Sequence, residues 1–518
     1  MKMKRFFSLI LAGALLLGIL SACSPAPPPP PTGTAEPPQP GAAPTGSLVV
    51  AVAAEPPTTV PARHSQTAAI PLSFLTHERL VEQHYYTLEP IGQLAREWRA
   101  LSDVLFEFTL HEGITFNNGD ELTAYDVVSS FYWVRQYPAS AMVHMSAQSI
   151  ELVDRYTFRL YTGVPEASLM FDLTSHGNSI FPRNLTDAGH DFHADPVGSG
   201  AYTLAEWRSG DFLRFEAAAN HWNAERAPRI QEINWRIIPE GSSRVIAYEV
   251  GEVDFILDVP LSDVPRLQAD PNTYVFMQPS PVMNFWNLNH NAPQFQNRYA
   301  RKAIFMAIDQ EELVEGAYDG IGVPTRASLP MVFAGASYEG VVPFDPAGAK
   351  ALLAEHNIDP ASLAFEVLVR FEADRRASEI MQARLSDIGI PLTITMVESA
   401  FLVDATANGT FEAAHNNWNA AWIISYMRNQ FFHTNGFVNR NQLRNPEISE
   451  IIAQGMATVD SDARAAIFEE ASRMINEYVV WVPIKMQTTV RAFNSNLVVP
   501  EMSGMTTILN LHSAFWTE

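Results

Sequence analysis

The stretch 363–399 limits the fold more than any other. LAFEVLVRF (363–371) and PLTITMVES (391–399) read as strands, and ADRRASEIMQARLSDIG (373–389) between them reads as a helix. Ala377, Ile380, Met381, Leu385 and Ile388 recur on one helical face, and Gly389 suits its stop. Strands joined through a helix pair side by side and parallel. A chain built on this unit forms an α/β lobe.

Other segments agree with a layered body. SLVVAVAAEPPTTVPA (47–62) opens with a strand that Pro56 and Pro57 stop. Phe106, Phe108 and Leu110 alternate as in a half-buried strand, and Asn118-Gly119 signals a turn. Thr123 precedes Asp126 by three residues, the spacing of a capping box, and Ala124, Val127, Val128, Phe131 and Val134 give the helix behind it one apolar face. Residues 196–256 read as mostly extended, with a helix ending near Gly251 and a strand after it. Residues 300–318 read as helical, with Asp309 as a cap and Glu312 three residues on, and 446–479 hold two further helices. No internal repeat is visible.

The first 23 residues are not fold. MKMKR is basic, and the 15 apolar residues FFSLILAGALLLGIL are fewer than the roughly 20 that span a bilayer. LSAC then ends in Cys23, the only cysteine of the 518 residues, and resembles a bacterial lipobox. It implies a signal peptide over 1–22, cleavage before Cys23 and a lipid on its sulfur. Residues 24–46 are proline-rich, a semi-rigid tether of up to roughly 70 Å that cannot build a core. No later stretch is apolar enough to span, so the chain is expected to be anchored to the membrane without crossing it. With 34 basic and 57 acidic residues, net −23, it lacks the basic face that nucleic acid requires.

Enzyme signatures are missing from the sequence. There is no GxSxG, no GxxxxGK[ST] and no GxGxxG, and the histidines of HERLVEQH (77–84) are seven apart, off the spacing of a zinc-binding HExxH helix. The expectation is no catalytic residue, no metal and no cofactor.

Three blocks, in order, carry a resemblance. LAREWRALSDVLFEFTLHEGITFNNGDELTAYDVVSSFYWVR (94–135), the run from PVGSGAYTLAEW through NHWN to GEVDF (196–255), and FWNLNHNAPQFQNRYARKAIFMAIDQEELV (285–314) resemble the signature runs of the family 5 extracellular solute-binding proteins, the peptide- and nickel-binding components of ABC importers. Asp309-Gln310 stands where that family usually has Asp-Arg. The resemblance implies an α/β, two-lobed, periplasmic-binding-protein-like fold of class II type with hinge strands and an additional domain. Lobe I would comprise 47–75, 197–288 and 485–518, the extra domain 76–196 would pack on it, and lobe II would be 289–484. It also implies a monomer outside the cytoplasm, in a periplasmic space or on the outer face of the cytoplasmic membrane. That monomer would close on a peptide or other small solute and pass it to ABC permease subunits. The alternatives are a non-peptide solute, an oligosaccharide or anionic small molecule, on the same scaffold, or a surface sensor or peptide chaperone; a secreted hydrolase has no motif behind it.

The resemblance also locates a pocket wall at AWIISYMRNQFF (421–432). Peptide-binding members carry W-x-x-D-Y there, and the acid meets the ligand's α-amino group. Trp422 and Tyr426 match, but Ser425 stands at the acid position, so free-amine anchoring is in question. Three readings of the wall stay open. Arg428 faces the cleft and pairs a ligand carboxylate, or it pairs an acid of the chain, or the ligand is uncharged there and Trp418, Trp422 and Tyr426 offer stacking faces. Trp286 and Asn289 fall at the expected lobe crossing, with Asn289 read as setting strand geometry.

Overall fold

The computed structural model describes residues 39–64, 66–137, 147–418, 427, 431–436 and 439–517. One 11-stranded sheet runs through most of the molecule. Its order is Leu392–Met396, Phe365–Val369, Ala413–Trp418, Thr273–Leu288, Trp481–Asn494, Phe255–Ile256, Thr45–Val52, Ile230–Ile237, Phe212–Ala217 and Tyr202–Arg208, with Val323–Pro324 set beside Trp481–Asn494.

Two parallel patches lie at opposite sides of this sheet. Phe365–Val369 pairs parallel with both Leu392–Met396 and Ala413–Trp418. The helix Glu372–Asp387 makes the crossover and buries Ala377, Met381 and Leu385, as the periodicity of 363–399 requires. In the other patch Thr45–Val52 pairs parallel with Ile230–Ile237 and Phe255–Ile256. Each patch has its own core. Phe365, Val367 and Val369 pack with Met381, Leu385 and Ile304, whereas Leu48, Val50 and Val52 pack with Trp235, Phe255 and Phe493.

Only the long strands Thr273–Leu288 and Trp481–Asn494 pass between the patches. They pair antiparallel, with Thr273 opposite Asn494 at one end and Asn287 opposite Trp481 at the other. The register shifts between Pro279 and Met283, and again between Asn284 and Phe285. Pro279 and Pro281 are two apart, so the N–H groups missing from both would have pointed to the same edge. The ladder breaks where those donors are lost.

Residues that lie in sequence between Thr45–Val52 and Ile230–Ile237, two strands of one patch, form a third core. The four-stranded antiparallel sheet Ala95–Ser102, Leu105–Leu110, Thr157–Tyr161 and Ser149–Leu152 has that spatial order. Phe106, Phe108 and Leu110 are buried while their neighbours are only partly so. Gly119 takes φ +91 in the expected turn. The Thr123 N–H donates to Asp126 at 2.8 Å, closing the capping box at the start of Ala124–Val134.

One sequence expectation changes. Residues 300–318 are two helices, Arg298–Met306 and Gln310–Ala317, not one. Asp309 caps the second by accepting from the Glu311 N–H at 3.0 Å. Glu312 turns away to Arg384, with a 2.6 Å bond to that guanidinium. Among the described residues, no helix is long and apolar enough to cross a membrane.

Candidate functional site

Ligand clefts of open α/β sheets lie beyond the carboxyl ends of parallel strands. At the Phe365–Val369 patch those ends carry Arg370 and Phe371, and the neighbouring strand ends at Asn417 and Trp418. The break in the long strands lies alongside, since Asn284 is opposite Asn417 and Met283 opposite Trp418. Gln487 donates to the Asn284 side-chain Oδ1 at 2.9 Å, a first amide contact that joins the two crossing strands beside the patch.

Arg370 is the unusual member. It is half-buried, and its Nη2 donates to the Asn417 Oδ1 at a long 3.4 Å. Its Nε is buried with no hydrogen-bond partner among the described residues. No carboxylate lies within 4.0 Å of it among those residues. Burial pulls its pKa down, and the nearby Asp374 opposes that pull. A half-buried guanidinium with spare donors is costly unless something charged meets it. Phe371, 49 % exposed, and Met396, also 49 % exposed, add apolar surface at the same strand ends.

Behind Arg370 lies a buried polar cluster. Asp374, in the first turn of Glu372–Asp387, has its Oδ1 3.3 Å from the Tyr318 hydroxyl and 3.4 Å from the His415 Nε2. The Lys485 Nζ donates to the Ile321 carbonyl at 3.0 Å and sits 3.7 Å from the Tyr318 ring centroid. Burial lowers Lys485 to about 8, against the pull of Asp374 and Asp319. Burial also lowers His415, which Asp374 counters, and raises Tyr318. These groups form donors and a single acid, an arrangement suited to holding a negative group. Among the described residues, no three His, Cys, Asp or Glu side chains gather as metal ligands.

Most of the expected pocket wall lies outside the described residues: Trp422, Ser425, Tyr426 and Arg428, as does Cys23. The flanks of that wall are described. Met427, Phe431 and Phe432 are buried, and Phe431 and Phe432 pack on Trp481 at 5.2 and 4.7 Å between ring centroids. Phe285 stacks on Trp481 at 3.8 Å. A second amide ladder fixes the segment from below. Asn416 donates to Asn287, Asn287 to Asn441, each at 2.9 Å, and Asn441 to the Phe431 carbonyl at 3.3 Å.

Trp418 is half-buried with its ring edge-on to Phe431 at 4.9 Å. Trp286 is fully buried, edge-on to Phe365, and faces the core. The Asn289 side chain donates to the Gly409 and Phe411 carbonyls at 3.0 and 2.7 Å and accepts from the Asn291 N–H, so it joins chain segments. The fold brings Trp418 to the strand ends beside Asn417 and leaves Trp286 and Asn289 in the scaffold. Arg370 had no signal in sequence beyond its position at the end of a strand.

Residues 89–438 match the family model of the bacterial extracellular solute-binding proteins, family 5 Middle. The chain belongs to this family. Its relatives include the glutathione-binding protein GsiB of Salmonella typhi, 24 % identical over 412 residues, covering 76 % of this chain and 79 % of that protein. The GsiB of Escherichia coli O157:H7 is 22 % identical over 421 residues, covering 78 % and 82 %. HbpA2 from Haemophilus parasuis superposes with TM-score 0.80 at 21 % identity over 91 % of this chain and 100 % of that one. The periplasmic binding protein DppA from Helicobacter pylori, in complex with the peptide STSA, gives 0.76 at 22 % over 92 % and 98 %. The family's two-lobed α/β fold is therefore the fold of this chain, with the long paired strands linking its lobes.

Proposed function

We propose that the chain is the lipid-anchored capture component of an ABC importer, closing two lobes on an oligopeptide-like solute that carries a carboxylate and handing it to a permease. The observation that carries this reading is Arg370, a half-buried guanidinium at the strand ends with no carboxylate of its own among the described residues. A solute carboxylate would take its spare donors in a charge-assisted, two-point contact. Phe371 and Met396 would meet apolar side chains of the solute. Among its relatives and structural neighbours, GsiB is named a glutathione-binding protein, DppA is seen in complex with the peptide STSA, and AgaA in complex with agropinic acid.

In this reading the lobes are those expected from sequence, with the hinge at the proline-broken ladder of 279–283. A ligand touching both lobes favours the closed state by its differential contacts. Trp422, Ser425, Tyr426 and Arg428, which the resemblance assigns to the pocket wall, lie outside the described residues. Because Ser425 replaces an acid, the solute's amino end is not gripped by charge, and the carboxylate end dominates affinity.

Mass spectrometry of what co-purifies identifies the solute. Calorimetry then compares that solute with its amide, in the natural protein and in Arg370→Ala. The reading expects the amide to bind at least about tenfold more weakly, a difference of about 1.4 kcal/mol, and the variant to abolish the difference. Equal binding of acid and amide by the natural protein would sink it. Anchoring is tested apart: Cys23→Ser is expected to move the protein out of the membrane fraction or leave the precursor uncleaved, and unchanged lipid labelling would remove the anchor from the proposal.

A further inference from the structure

A groove of about 390 Å³ lies on the outer face of the 95–161 sheet domain, between the helices Ala124–Val134 and Arg183–Ala188, away from the strand ends of the cleft. Two of its walls are tyrosines. Tyr125 and Tyr132 are 45 % and 52 % exposed, and they lie seven residues apart on one helix. Seven residues is two turns, a separation of about 10.5 Å along the axis. Trp133 lies half-buried beside them, held by edge contacts to Tyr137 at 5.0 Å and Phe192 at 5.3 Å. Opposite stand Arg183 and Asp187, paired at 3.2 Å, and Gln136 is exposed at the groove's end.

We infer that this groove binds a neutral saccharide, a short glycan segment of at least three rings. The lining chooses this class over the others. Half-exposed aromatic rings at two-turn spacing suit the flat C–H faces of alternate sugar rings in a linked chain, which stack on such rings while their hydroxyls reach the edges, where Arg183 lies by the Tyr125 ring. Arg183 and Asp187 offer a donor and an acceptor whose charges cancel, so the groove has no net charge to attract a phosphate or an anionic lipid surface. A nucleic acid strand would stack equally well, yet it needs a basic track that a chain of net −23 does not supply here. An extended peptide pairs its main chain along a strand edge, and of the strand Ser149–Leu152 only its last residue, Leu152, reaches this groove, whose other walls are mainly the two helices. Rings fixed by packing before the ligand arrives need little further ordering on binding.

The full chain is titrated with soluble tetramers of β-linked N-acetylglucosamine, β-linked glucose and α-linked glucose, followed by calorimetry and tryptophan fluorescence. The expected result is saturable binding of at least one glycan in the millimolar range or tighter. Tyr125→Ala and Tyr132→Ala should each weaken it at least tenfold, with the melting temperature unchanged because both rings are exposed. Arg183→Gln should weaken it less and keep the stacking signal. No binding of any of the three up to about 20 mM, an affinity below about 2.5 kcal/mol, overturns the inference. So does glycan binding that survives both tyrosine variants, since the sugar then sits elsewhere. Loss of peptide or vesicle binding in these variants, with no glycan bound, overturns it in favour of those partners.

Discussion

Two buried charge clusters in this molecule are built on opposite terms. One ties the third core to the parallel patch of Thr45–Val52 and Ile230–Ile237. Arg226 makes a two-point contact with Glu82, at 2.5 and 2.8 Å, and the Trp222 Nε1 donates to Glu78 at 2.7 Å. Gln93 adds a bond to Glu82 at 3.2 Å while its own oxygen takes the Arg79 backbone N–H at 2.8 Å. Burial pushes Glu78 up, but His221, Arg226 and Trp222 outweigh it and hold that carboxyl below its usual value. The other cluster has Asp374 as the acid that Arg370, His415 and Lys485 all feel. The first cluster answers each acid with a fitted donor, and the second keeps positive charge uncancelled. Full pairing is what a fixed interface needs. An excess of donors at strand ends is what a returning ligand needs.

The largest expected effect tests the paired cluster. Arg226→Ala should cost about 3–5 kcal/mol in denaturant unfolding, because it leaves Glu82 buried and uncompensated. Adding Glu82→Gln should recover a good part of that loss, and a single-variant cost below about 1 kcal/mol would erase the distinction between the clusters. Arg370→Ala should do the reverse: affinity for an anionic solute falls by about 1.5–3 kcal/mol, with stability within about 0.5 kcal/mol of the natural protein. A third test uses pH. Lys485 has a folded value of about 8 against 10.5 for an unperturbed lysine. Between these values the unfolded chain binds the extra proton, so the Lys485 contribution makes stability rise with pH there. The slope is about 1 kcal/mol per pH unit for one such group. Lys485→Met should remove that rise; an unchanged slope assigns it to other groups. The smallest effect sharpens the site itself. Asn417→Ala removes one long hydrogen bond to Arg370 and should weaken anionic binding by only about 0.5 kcal/mol, leaving neutral ligands unaffected.

Much of the fold could be read from local chemistry. The alternation at Phe106, Phe108 and Leu110, the Thr123–Asp126 box and the crossover at 363–399 all depend on neighbours in sequence. The long strands do not. From Ser280 to Leu288 every residue is buried, so the two-residue alternation that marks a half-buried strand is absent, and Pro279 and Pro281 read as breakers. Their strand character comes from partners about 200 residues away. Arg370 was hidden for a related reason. At the end of a strand an arginine reads as solvated, and what sets it apart is that the nearby acid, Asp374, turns to Tyr318 and His415, which the fold brings from elsewhere in the chain. Trp286 shows the opposite error of scale, because a tryptophan near a lobe crossing fits a pocket or a core equally well until burial decides.

The interleaving of the main sheet has a consequence for how the chain is made. Thr45–Val52 finds its neighbours only when residues 230–237 and 255–256 arrive, and Phe255 and Ile256 in turn pair with Phe493 and Ala492. Trp516 then donates to the Ser47 carbonyl at 3.0 Å across 469 residues. The first strand to emerge is therefore among the last to be completed. Such non-local closure slows folding, and it leaves the lobe that holds the first strand open along that strand until the final residues are delivered.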